Sequence, residues 1–208
     1  FYPQTTDFTC GPACLLMALN HLKETPMQRN EELKIWREAT TIFMTAGHGG
    51  CSPHGLALSA WKRGLQVKLI VSTDSTPFID GVRQQDKKEV IELIHHDFLK
   101  RLTEIDVDII SEWPNTEQLD KLLAEQKPTL ALISTWQLNR NKAPHWVLIT
   151  ASDNDYVYIN DPDLDDAAPH LSQTDLEQIP IAKSVFWKMA SFGKQKLKAL
   201  LFLENRQD

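Results

Sequence analysis

The order of the patterned segments predicts an α+β fold, a helical N-terminal part packed on a mostly antiparallel sheet. Apolar residues recur at helical spacing through the first part of the chain, and short alternating or continuous apolar runs dominate the second. Helices and strands also do not alternate regularly, as a parallel βα sheet would require. At 208 residues the chain can bury one sizeable core. The expectation is one domain over 1–208, with a helical lobe over about 1–65 and a sheet-rich lobe over about 66–208.

Residues 10–22 read as a helix, with Leu15, Leu16, Leu19 and Leu22 on one face. Segment 30–46 reads as a second helix, with Asn30 as cap, acids in its first turn and Gly47 as its stop. GHGGCSPHG is a loop, and PHGLALSAWKRG a third helix closing at Gly64. QVKLIV alternates as a strand, 72–85 is a polar loop, and 86–103 is a strongly periodic helix. VDII then reads as a short strand, TEQLDKLLAEQ as a helix begun by Thr116, and TLALIST as a buried strand. HWVLITA and YVYIN are strands joined by the turn SDND. SQTDLEQI is a short helix capped by Ser172, and LKALLFL a terminal strand.

Composition excludes several functions. The chain is 42% hydrophobic and 24% charged with a net charge of -6, which gives no electrostatic reason for a nucleic-acid partner. No apolar run approaches the ~20 residues of a membrane helix. Three irregularly spaced cysteines suit reduced thiols in a cytoplasmic setting better than a disulfide framework. The opening residue is Phe1 rather than Met, as expected of a processed form or a piece of a longer protein.

The chemistry concentrates in three places. Cys10 stands where the loop FYPQTTDFT turns into a helix, and a helix N-terminus stabilises a thiolate. His145 and Asp161 flank the SDND turn, equidistant from Asp153. In a hairpin centred there they lie opposite each other on one face, so the carboxylate can orient the imidazole. A register slip of one residue separates them. Gln4 lies upstream of Cys10, and its amide, with the Cys10 N–H, is suited to receive an oxyanion. Pro12 fits a first helical turn, where its missing N–H is not needed.

QTTDFTCGPACLLMAL, APHWVLIT and YVYINDPD together resemble the papain-like cysteine peptidases of the bacteriocin-processing, double-glycine-leader type, peptidase family thirty-nine. The stand-alone bacterial relatives, some fused behind an acetyltransferase, are the nearer likeness. The resemblance implies a papain-like fold, nucleophile Cys10, general base His145, orienting Asp161 and oxyanion donor Gln4. It also implies a peptide or protein substrate, with no metal or organic cofactor, and a fused or neighbouring acetyltransferase as partner. Gly11, Trp136 and Arg140 are the expected substrate contacts, with Arg140 and Lys142 making the loop after Trp136 basic. The same four catalytic residues serve acyl transfer to an amine or thiol as well as hydrolysis. A catalytically silent peptide-binding module is the third reading.

Other chemistry-bearing residues have plainer readings. Cys14, one turn from Cys10, is core or a wall of the site. His48, Cys51 and His54 fall short of the four ligands of a structural zinc and read as a glycine-rich connection. Cys51 is the internal rival for the nucleophile. Trp146 points away from His145 if the strand assignment holds. Asp163, Asp165 and Asp166 read as a hydrated acidic loop.

Overall fold

The computed structural model describes residues 1–40, 49–135, 143–164 and 172–207. In these, α1 (Cys10–Lys23), α2 (Arg29–Ala39) and α3 (Pro53–Lys62) precede strand β1 (Leu65–Val71). Then come α4 (Gln85–Thr103), β2 (Asp108–Ile110), α5 (Thr116–Ala124), β3 (Thr129–Ser134), β4 (Pro144–Ser152) and β5 (Tyr156–Asn160). The chain closes with β6 (Ile179–Ala182), α6 (Lys183–Met189) and β7 (Ala199–Asn205). The strands form one sheet in the order β2-β1-β7-β3-β4-β5-β6. Only the β1–β2 pairing is parallel, so the sheet is mostly antiparallel and the fold is α+β as expected.

Strand alternation divides the interior in two. Leu65, Val67, Leu69, Leu130, Leu132, Trp146, Leu148, Leu201 and Leu203 share a core with α1 and α3. Ile70, Ala131, Ile133, Val147, Ile149, Leu200 and Phe202 share another with α5 and α6. α1 is buried at every position from Cys10 to Leu19, as a helix apolar all round must be. It packs on β3, β4 and β7 on one side and on α2 and α3 on the other, so the start of α1 is held rigidly. A Cβ added at Gly55 would lie 2.6 Å from the backbone of Ala39. That glycine therefore permits the close approach of α3 to the end of α2.

The structure corrects three expectations and adds two elements. The second helix stops at Ala39, with Thr40 extended and bridged to Cys51, whereas the pattern ran on to residue 46. Residues 41–48 lie outside the described residues. SQTDLEQI forms one 3-10 turn (Gln173–Asp175) with a Ser172 capping box, not a helix. Strand β6 was not among the expected elements; it contains Pro180, and among the described residues it pairs only with β5 at the sheet edge, where proline is tolerated. α6 was missed with it. The last strand begins two residues later than expected, at Ala199.

Candidate active site

Cys10 opens α1 and is 7% exposed. The N-cap residue, Thr9, makes no capping bond to the helix, because its hydroxyl is turned back to the Thr6 carbonyl (3.1 Å) and the Thr6 hydroxyl (2.9 Å). No acidic side chain stands in the first turn. The positive end of α1 is thus left without a side-chain anion beside the Cys10 thiol.

His145 is the second residue of β4, and its Nε2 lies 2.7 Å from Asp161 Oδ1. Both side chains are buried. The register that brings them together differs from the expected one. Ser152 pairs with Val157, so the turn is centred on Asn154 and Asp155 rather than on Asp153. Continued without interruption, that register would put His145 and Asp161 on opposite faces. A bulge at Thr150 intervenes, and beyond it Ile149 pairs with Ile159 and Leu148 with Asn160. Extended past the end of β5, this second register sets Val147 against Asp161. His145 therefore reaches Asp161 diagonally on the same face, within the range of a long side chain. The Thr150 hydroxyl holds the bulge, donating to Tyr158 O (3.2 Å) and accepting from Gln178 Nε2 (2.8 Å).

Burial alone would lower the pKa of His145. The Asp161 carboxylate, by charge and hydrogen bond, and then Cys10 by the same two effects outweigh it, and the ring is held well above its ordinary value. Asp161 and Cys10 thus both favour the protonated His145 ring. Since Nε2 faces an acceptor carboxylate, Nε2 carries a proton and Nδ1 is the nitrogen left for the thiol. The other two cysteines differ. Burial, then Cys10 and Asp161, push the Cys14 thiol well up, and its Sγ faces the Trp146 carbonyl at 3.4 Å. Burial and Cys10 do the same to Cys51, whose carbonyl accepts from Trp146 Nε1 (3.2 Å). Trp146 is core, facing away from His145.

Gln4 is brought to the same place. Its backbone N–H donates to Pro162 O (2.9 Å) and its Nε2 to Asp163 Oδ1 (3.0 Å). Gly11 is buried, and a Cβ there would meet Leu56 at 3.0 Å and Trp146 at 3.2 Å, so packing sets its position. Trp136, Arg140 and Lys142 lie outside the described residues. His54 of the suspected metal loop is buried against His95, ring centroids 4.8 Å apart. Among the described residues, no three His, Cys, Asp or Glu side chains are grouped to hold a metal. No helix among them is long and apolar enough to cross a membrane.

Sequence reasoning missed the anchor of the Gln4 segment. Glu32, fully buried in the first turn of α2, accepts from Tyr2 Oη (3.0 Å), Thr5 N (2.8 Å) and Thr5 Oγ1 (2.7 Å). An acid near a helix start is ordinary, and nothing in its spacing marks it as buried.

A family profile described as Peptidase_C39 like family matches residues 1–204. The chain belongs to that family. Among solved structures it is similar to the peptidase domain of Streptococcus ComA, a bi-functional ABC transporter involved in a quorum sensing pathway. That match has 15% identity and a TM-score of 0.50, and covers 99% of this chain and 97% of that one. A double glycine motif protease from an AMS/PCAT transporter, solved with its leader peptide, matches at 14% identity with a TM-score of 0.49 over 98% of this chain and 89% of that one. A C39-like peptidase from Bacillus anthracis matches at 14% identity with a TM-score of 0.48 over 100% and 95%. No curated protein matches. At these identities the ComA likeness speaks for the fold, which is papain-like, as the family membership leads one to expect.

Proposed function

We propose that this member of the Peptidase_C39 like family is a cysteine peptidase acting on a peptide or protein substrate, with Cys10 as nucleophile, His145 as acid and base, Asp161 orienting it and Gln4 as oxyanion donor. The observation that carries the reading is the buried His145 ring, bonded to Asp161 at 2.7 Å, with Cys10 among the groups that raise its pKa. An imidazole held protonated beside a sulfur at an uncapped helix start favours the thiolate–imidazolium pair. The thiolate attacks the acyl carbon, and the carbonyl π pair moves to oxygen. The oxyanion then sits at the start of α1, where the Cys10 N–H and the Gln4 amide donate to it. As the tetrahedral adduct collapses, the C–N bond breaks and imidazolium Nδ1–H protonates the departing amine. His145, now neutral, takes a proton from water as the water oxygen bonds to the thioester carbon; the second tetrahedral adduct then collapses, the C–S bond breaks, and the carboxylic acid leaves the thiolate–imidazolium pair behind.

The test is a peptide library incubated with wild type and with Cys10→Ala and read by mass spectrometry. Cleavage by wild type alone supports the proposal. Equal product patterns from both would overturn it.

A further inference from the structure

The segment after β5 serves both halves of the site at once. Asp161 Oδ1 accepts from His145 Nε2 at 2.7 Å and from the Asp163 N–H at 3.0 Å. Two residues on, Asp163 Oδ1 accepts from Gln4 Nε2 at 3.0 Å, and the Pro162 carbonyl takes the Gln4 N–H at 2.9 Å. A carboxamide presents nearly the same shape with its nitrogen and oxygen exchanged, so something must decide which end faces which way. A carboxylate decides it, because it only accepts. With the amide turned over, Gln4 Oε1 would stand against Asp163 Oδ1, acceptor against acceptor. The other end of the amide supplies no competing preference: Gln4 Oε1 is buried with no hydrogen-bond partner among the described residues. With one Nε2 hydrogen held by Asp163, the other is left to donate.

We infer that Asp163 is a positioning residue, fixing the Gln4 carboxamide nitrogen-end outward for the oxyanion while its own N–H braces Asp161. The inference rests on the peptidase reading above. It also separates charge from orientation. A negative charge near a developing oxyanion opposes it, so the contribution of Asp163 lies in accepting the hydrogen bond and not in its charge. Asn at this position keeps the acceptor, whereas Ala removes it and leaves the backbone N–H to Asp161 intact.

The experiment compares wild type, Cys10→Ala, Gln4→Ala, Asp163→Ala, Asp163→Asn and the Gln4→Ala/Asp163→Ala double variant. It measures kcat and KM on a cleaved peptide and the rate of Cys10 alkylation by iodoacetamide, which forms no oxyanion. Gln4→Ala is expected to lower kcat on the order of 10²-fold, and Asp163→Ala about 10- to 100-fold with little change in KM. Asp163→Asn should restore most of that loss, and the double variant should be no worse than Gln4→Ala. Alkylation should be unaffected in all of these variants that retain Cys10. The inference is overturned if the Gln4 and Asp163 losses multiply, if Asn fails to restore activity, or if Asp163→Ala slows alkylation. Amide NMR of Gln4 separates its failure from that of the peptidase reading. A wild type that cleaves nothing ends the reading, while loss of a distinct, exchange-protected Gln4 side-chain resonance in Asp163→Ala alone still reports the positioning. An unchanged resonance refutes it.

Discussion

One side chain of the glycine-rich connection should contribute to the loss of stability in acid. His54 is buried at the start of α3, its Nδ1 has no hydrogen-bond partner among the described residues, and burial together with the facing His95 lowers its pKa from 6.5 to about 3. The unfolded chain binds this proton below pH 6.5 and the folded one does not until about pH 3. Stability is therefore at its full value above 6.5 and falls as pH drops from there towards 3. One pH unit is worth about 1.4 kcal/mol, so the whole window amounts to about 5 kcal/mol and the step from pH 6.5 to 4.5 to about 2.7 kcal/mol. His95, also lowered by burial and by His96, acts in the same direction. Urea unfolding followed by tryptophan fluorescence at a series of pH values reads this directly, with His54→Leu as the control lacking the titration. The difference in stability between pH 6.5 and 4.5 should shrink by about 2.7 kcal/mol in the variant. Parallel pH profiles for the two proteins would refute the argument.

Three further outcomes follow from the geometry. Gly55→Ala should cost about 3 kcal/mol or more, because the new methyl meets the Ala39 backbone, while Gly11→Ala meets side-chain ends and should cost about 1 kcal/mol; thermal unfolding ranks them, and the reverse order would contradict the packing. Glu32→Ala strands three donors and releases the segment that carries Gln4, so stability should fall by roughly 2–4 kcal/mol and kcat/KM should fall with it; unchanged peptide cleavage would show that Gln4 does not depend on this anchor. Asp161 and Cys10 hold the His145 proton above the ordinary 6.5, so if His145 is the acid of the proposed mechanism, it is retained at neutral pH and lost only as pH rises through the raised value. The alkaline limb of kcat/KM should therefore lie above pH 6.5, and a limb at or below it would contradict the arrangement.

The parts of the fold that place Cys10 were legible because α1 is apolar on every side and must run through the core. The His145–Asp161 pair was legible for a weaker reason. The expected register was wrong, and the pair survives because the bulge at Thr150 restores the face that the shifted turn would have exchanged. A bulge held by a threonine hydroxyl and a distant glutamine leaves no periodic trace in the sequence. β6 was hidden for the opposite reason: its proline speaks against a strand, and only its edge position makes it harmless. Glu32 and Asp163 were unreadable as site residues because their roles depend on which donors the fold brings to them. An acid in a first helical turn and one in an acidic loop look like solvated charge until Thr5 and Gln4 arrive.

The most direct measurement is the rate of Cys10 alkylation by iodoacetamide at neutral pH in wild type and in His145→Ala. If sulfur and imidazole form one unit, loss of the ring should slow the alkylation of Cys10 by about 10-fold or more. Equal rates for the two proteins would mean that the ring does not act on the sulfur, and the site as described would not stand.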